Sequence, residues 1–583
     1  MTAARLVSAR GLLSGLAAGG LCVAALLQPA SVLWTALWPV VVLAACRGYG
    51  LALERATGHG AGPALSTLGG LAVLVTGSVV LGHVGALTLH VQLGAIALGL
   101  LCCGLAPRAP RARDGSRASL VQATVTIAVA TALAAAAIAR LDLVIMDGLN
   151  HSLVVKRLWD TGSLGRIYHQ LGGQPVAESY FAIAPGAWAA SLFEASAAPA
   201  LVIALLFERL AARSAGRATA LWCMLAIPIA LAPTLLTSQW SAVALLAAAF
   251  FDLSDATGDA IEDRRTAWHA IACSLALAVT RHEYALLALP YLTAAIVLPR
   301  PAPPSRRTVR ALATAWIAVL VPLQVALSVP VDRALVNAVI LLAAWPLARA
   351  TLAVFGAPPA PGALAVLVFS SITFGLALAL DAIRPAQHDA AATFAVAFAA
   401  VACLAALLAQ PAQPAQPAPV SPMSPAIIAL LVLCLATTAI APNLDGNLRG
   451  KLTRYFTEAL VTIKYRRATG DGLGPHRDLR AMQERVPEGA TIGFWGQRPG
   501  ALDFRRNRIT DRSWPRNRFR EEFYLLPLTQ ESLRGQDYML VERVLPAPAA
   551  VVPWDIAHAT VYVDDLLERV ACLEAVCVYA VRR

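Results

Sequence analysis

The sequence predicts a mainly α protein. It reads as a polytopic bundle of about fifteen membrane-spanning helices, amino terminus inside and carboxy terminus outside, with a small C-terminal α/β domain on the outer side. Three observations predict this. The chain of 583 residues is 58% hydrophobic and 14% charged, with a mean hydropathy of +0.63, whereas a soluble protein is closer to a quarter charged. Apolar runs of membrane-spanning length recur through most of the chain. The last part, 442–583, is polar and of domain size.

Residues 12–28, 32–52, 67–87 and 90–106 read as four helices, and the dense basic loop 107–117 (PRAPRARDGSR) is cytoplasmic by the positive-inside rule. Helix 120–139 carries the chain outward, so the long polar interruption 140–185 lies outside. Inside it, 149–159 has helical spacing, and Thr161-Gly162-Ser163 is a stop. Helix 186–207 returns to Glu208–Arg217, helix 218–235 goes out, and helix 240–251 returns to Asp252–Arg265. Two short apolar runs follow, 267–280 and 284–298, broken by Arg281-His282-Glu283 and followed by the basic segment 300–310. As separate half-length or tilted spans, they put the Arg281-His282-Glu283 triplet at the outer face. Helices 311–329, 335–350, 363–380, 390–409 and 425–441 complete the membrane part, with a Pro-rich inner spacer at 410–419. Under this one register every strongly basic loop falls inside. The expected division is a four-helix extension (1–119), a transmembrane module (120–441) with the outer loop 140–185, and the outer domain (442–583). In that domain 478–484 reads as a helix, and 490–495, 538–542 and 576–581 read as strands.

The net charge of +12 is carried mostly by arginine. In a membrane protein it sets orientation and is no sign of nucleic acid. Of the ten cysteines, eight lie in or beside apolar runs and behave as small hydrophobes. Cys572 and Cys577 sit in the polar part, where either a disulfide in an oxidising compartment or two unpaired strand thiols fits. No Cys pair has metal spacing, and Walker, dinucleotide-binding, zinc-protease and serine-hydrolase motifs are missing from the sequence.

The residues suited to chemistry concentrate in two places. Asp147 follows the fifth expected helix at the membrane–water boundary, where a carboxylate can take a proton from an acceptor hydroxyl. It is equally well placed to cap the 149–159 helix. His151, four residues on, shares its face and either orients the carboxylate, contacts substrate or is solvated. Lys156 and Arg157 suit a phosphate or snorkel at the interface. Tyr168, His169 and Glu178 are candidates for acceptor contacts. The second place is Arg281, His282 and Glu283, ionisable residues at membrane depth that suit either a lipid-linked phosphate or a structural ion pair. In the tail, Arg498, Arg505, Arg506 and Arg508 surround Asp503 and read as a solvated basic face or an anion contact.

Three stretches then resemble the GT-C superfamily of polytopic membrane glycosyltransferases. They are MDGLNHSLVVKRLWDTGSL running on to SYFAIAPGAWA, ALAVTRHEYALLALPYL, and WGQRPGALDFRRNRI in a soluble domain after the last helix. The resemblance covers roughly residues 120–583. It implies inverting transfer of a sugar from a polyprenyl-phosphate donor to a glycan, lipid or protein acceptor on the outer face of the plasma membrane. Asp147 would be the general base, and Arg281 and Lys156 would hold the donor phosphate, a large catalytic term. Two departures stand out. Gly148 and Leu149 replace the second acid many members carry, leaving Asp142 or Asp160 to supply one, and four additional helices precede the one that leads into the loop. Some members need a divalent cation, which Asp147 and His151 alone do not specify. Other readings are a transporter or flippase of a lipid-linked glycan, a polysaccharide polymerase or ligase, and a non-catalytic assembly partner.

Overall fold

The computed structural model describes residues 32–105, 146–165, 171–184, 193–211, 239–256, 266–280, 282–297, 474–495, 502–511, 533–542, 566–573 and 576–582, with isolated positions elsewhere. The described residues are mainly helical, with one small sheet. The expected spans at 12–28, 120–139 and 218–235, and nearly all of 311–441, lie outside them.

The first three helices of the described residues are α1 (Val32–Thr57), α2 (Pro63–His83) and α3 (Leu89–Leu105). Helix α2 starts four residues before its apolar run because Pro63, with its fixed φ and no N–H to lose, suits a first helical turn. The three pack backbone against backbone. A Cβ on Gly70 or Gly50 would overlap the carbonyl oxygen of Cys46 or Ser66 across the α1–α2 contact, and one on Gly48 would overlap that of Gly99 on α3. Small residues permit such approach where apolar side chains gain nothing by leaving lipid for a partner helix. The outward positions Val73, Val80, Val84, Val91 and Leu98 are exposed. Two helices, Leu37–Thr57 and Pro63–His83, are long and apolar enough among the described residues to cross a membrane.

Next come α4 (Met146–Thr161), α5 (Gly173–Phe181), a π-helical turn (Phe193–Ala197) leading into α6 (Ala198–Ala211), α7 (Gln239–Ala256), α8 (Trp268–Thr280) and α9 (His282–Val297). Helices α8 and α9 are separate and pack along each other. At about 20 Å and 24 Å they are shorter than the roughly 30 Å of a hydrocarbon core. One apolar core runs from Trp38 in α1 to Ala295 in α9, so the helices before residue 119 share it with those after.

The polar interruption 140–185 holds a second helix that the sequence reading passed over. All nine residues of α5, polar ones included, are buried. Its signal is modest: Gly172, in the left-handed region at φ 97°, turns the chain, and Pro175 falls in the first helical turn.

The C-terminal part begins with α10 (Gly474–Glu484), then β1 (Thr491–Trp495), β2 (Arg508–Asp511), β3 (Tyr538–Glu542), β4 (Leu567–Cys572) and β5 (Val576–Val581). The strand order is β2-β1-β3-β5-β4. β1 runs parallel to β2 and β3, and β5 antiparallel to β3 and β4. Strand alternation splits the core. Ile492, Phe494 and Leu540 pack with Leu479 and Met482 of α10, whereas Met539 and Val541 pack with Leu533 and Leu567 on the other face. Strands β2 and β4 went unforeseen because RITD and LERVAC lack a clear apolar alternation.

Cys572 and Cys577 are joined by a disulfide across the β4–β5 turn. Leu573 and Val576 exchange the backbone hydrogen bonds there, so the cysteines occupy the closer, non-hydrogen-bonded pair, with Cα atoms 4.1 Å apart. Loop-closure entropy for so short a loop gives about 2 kcal/mol. Cys577→Ser should therefore raise hydrogen exchange of the β4–β5 amides by roughly 30-fold. Unchanged protection would show that the ladder alone holds the hairpin.

Candidate functional site

One end of the bundle gathers the turn between α2 and α3, the exit of α4, and the start of α5. The Leu87 N–H donates to the Gly162 carbonyl (2.9 Å), and the Leu164 N–H to that of Gly82 (3.0 Å). Helix α4 carries Asp147 and His151 in its N-terminal half, four residues apart; their side chains lie outside the described residues. Val154, Val155, Leu158 and Trp159 bury its other half.

Lys156 and Arg157 both have intrachain partners. The Lys156 ammonium pairs with the Asp160 carboxylate one turn on. The Arg157 guanidinium donates to the Leu164 carbonyl, and burial lowers its pKa to about 10, leaving it cationic at neutral pH. Gly165, at φ 61°, lies against it, where an added Cβ would come within 2.7 Å of the guanidinium. Arg157 thus closes the turn that ends α4.

Helix α5 is the polar centre of the bundle. The Gln174 amide donates to Glu178 Oε1 (2.8 Å), Ser179 Oγ to Gln92 Oε1 on α3 (2.9 Å), and Trp38 Nε1 on α1 to the Tyr180 carbonyl (2.7 Å). The Tyr180 and Ser78 hydroxyls share a hydrogen bond of 2.7 Å. Such pairing is what a dry interior demands of polar side chains. Glu178 is buried among these groups.

The first residue of α5 joins the two sequence regions singled out for chemistry. A Cβ on Gly173 would lie 2.9 Å from the Val279 carbonyl oxygen and 3.0 Å from Thr280 Cα. The end of α8 therefore packs against the start of α5, within the polar interruption 140–185. Arg281 and the side chains of His282 and Glu283 lie outside the described residues, as do Tyr168 and His169.

Three acids in or beside expected spans turn out to cap helices from a distance. Glu194 Oε2 accepts the N–H groups of Trp240 (3.0 Å) and Ser241 (3.2 Å) at the start of α7. Asp252 Oδ2 accepts that of Ala270 at the start of α8 (2.9 Å). Glu208 Oε2 accepts that of Ala64 at the start of α2 (2.8 Å). Each satisfies an orphan donor where the macrodipole is positive. The sequence reading passed over Glu194, although an acid inside an apolar run is itself a signal. Glu194→Ala should destabilise the full chain in detergent by about 2 kcal/mol, and Glu194→Gln, which keeps a carbonyl acceptor, by clearly less. Equal denaturation midpoints for the two variants would refute the capping role.

The α/β domain meets the bundle at the end of α4. The Phe504 N–H donates to Asp160 Oδ2 (3.1 Å) and Arg505 Nε to the Asp160 carbonyl (2.8 Å). Arg506 Nη2 donates to the carbonyls of Glu484 (3.3 Å) and Val486 (3.0 Å). So two arginines of the basic cluster have protein partners, and Arg498 lies outside the described residues. Among the described residues no group of three or more His, Cys, Asp or Glu side chains is placed to hold a metal ion. Compared with family models, curated proteins and solved structures, the chain matches none.

Proposed function

We propose that this chain is an inverting membrane glycosyltransferase that moves a sugar from a polyprenyl-phosphate donor to a cell-envelope acceptor. The reading places the reaction at the outer face of the plasma membrane, with the α/β domain on that side. What supports it is the contact of Gly173 with Val279 and Thr280, which brings the polar interruption 140–185 against the end of α8. A base and a phosphate-binding cation come from segments more than a hundred residues apart in the sequence. In the proposed step Asp147 takes the proton of the acceptor hydroxyl, whose oxygen attacks the anomeric carbon. The bond from that carbon to the phosphate oxygen breaks, and the polyprenyl phosphate leaves with the electron pair. Arg281 neutralises the charge that develops on the phosphate. His151 orients the base. Glu178, buried and hydrogen-bonded to Gln174, holds α5 and does not contact the acceptor.

The test is transfer by the purified full chain, in detergent, from a radiolabelled panel of polyprenyl-phosphate sugars to envelope glycans, lipids and proteins. Label reaching an acceptor supports the proposal. Label that crosses a proteoliposome membrane still attached to its lipid replaces it with a flippase. No transfer from any donor overturns it.

A further inference from the structure

The contact between the C-terminal domain and α4 is built from both sides. Asp160 lies in the last turn of α4, where the macrodipole disfavours an acid and where backbone carbonyls lack helical partners. Both liabilities are met from residues more than 340 positions away. The Asp160 carboxylate, already paired with Lys156, accepts the Phe504 N–H, and the Asp160 carbonyl accepts the Arg505 guanidinium. A cation on a terminal helical carbonyl is a favourable C-cap.

The loop that supplies these donors is shaped before it meets α4. The Gln483 amide brackets Asp503, donating to its carbonyl (2.7 Å) and accepting its N–H (2.8 Å). Asp503 Oδ1 accepts the Arg505 N–H (2.9 Å). Asn507 Nδ2 donates to the Pro487 carbonyl (2.8 Å), and the Phe504 ring is buried in the core of its own domain. Only the Phe504 N–H and the Arg505 side chain of this loop turn to Asp160 among the hydrogen bonds of the described residues.

We propose that Asp160 is a positioning residue through which the C-terminal domain holds helix α4, and with it Asp147, in register with the bundle. A helix transmits displacement as a rod, and thirteen residues separate the two acids, about 20 Å along the axis. The docking does not depend on the proposed reaction; only its bearing on catalysis rests on that reading.

Hydrogen exchange of the full chain in lipid nanodiscs tests this without an activity. In Asp160→Ala and Arg505→Gln the Phe504 amide should exchange about 10-fold faster or more, because a charge-assisted hydrogen bond is lost. The α4 amides should follow, with β1 and β3 unchanged. Release of Phe504 with α4 unchanged would overturn the proposal, as would no change at either place. If Asp160→Ala lowers protection throughout the chain, Arg505→Lys decides. It keeps a cation for the Asp160 carbonyl, so recovery of α4 protection relative to Arg505→Gln supports positioning, and equal loss overturns it. A wild-type chain inactive toward every donor would end the glycosyltransferase reading and leave this exchange result standing.

Discussion

Asp147→Asn should lower the rate of sugar transfer by about 10²–10⁴-fold, the usual loss on removing a general base. The substitution keeps the size of the side chain, and because α4 starts at Met146, one residue before Asp147, the acid is not the helix cap and the macrodipole term it forfeits is below about 1 kcal/mol. A collapse of activity in a protein whose unfolding midpoint is unchanged would thus isolate the proton transfer. The loss should fall on kcat, because an acceptor hydroxyl is held by many contacts but deprotonated by one group. Unchanged transfer would remove Asp147 from the mechanism. Asp160 would be a poor replacement, since its carboxylate is paired with Lys156 and the Phe504 N–H.

Gly70→Ala should strongly destabilise the bundle, although alanine is the better helix former by about 1 kcal/mol in an isolated helix. The two effects have opposite signs, and geometry decides. The new Cβ would overlap the Cys46 carbonyl oxygen and reach within 2.5 Å of the Gly50 amide nitrogen. Both are backbone atoms, so no rotamer relieves the clash and α1 must move. Overpacking that forces backbone shifts costs about 1–3 kcal/mol or more, here across a contact that also positions Trp38 on Tyr180. Gly77 in the same helix is the control, because an added Cβ there meets nothing within 4 Å. Gly77→Ala should leave the thermal unfolding midpoint in detergent equal or slightly higher. Equal midpoints for the two variants would show that α1 and α2 do not pack through Gly70.

Much of the helical layout was legible because hydropathy is a local property. Expected helices at 32–52, 90–106, 149–159 and 240–251 correspond to α1, α3, α4 and α7 within a few residues. The two short apolar runs are separate helices, α8 ending at Thr280 and α9 beginning at His282, so His282 and Glu283 open the second helix instead of breaking the run. Strands β1, β3 and β5 were legible from their apolar runs. Helix α5 was not, since Gln174, Glu178 and Ser179 read as a polar loop until α3 and the π-helical turn are packed around them.

The sequence alone determined the composition of the chain, the lengths of its apolar runs, the polar interruption bearing Asp147 and the cysteine pair in the tail. Each depends on residues within a few positions of one another. Only the tertiary structure decided what the buried polar groups are for. Glu194, Asp252 and Glu208 cap helices 46, 18 and 144 residues away, and Asp160 meets a loop 344 residues on. A charged side chain announces in sequence that it needs a partner, because burying it bare is costly. Which partner it finds is set by the packing of helices that are distant along the chain.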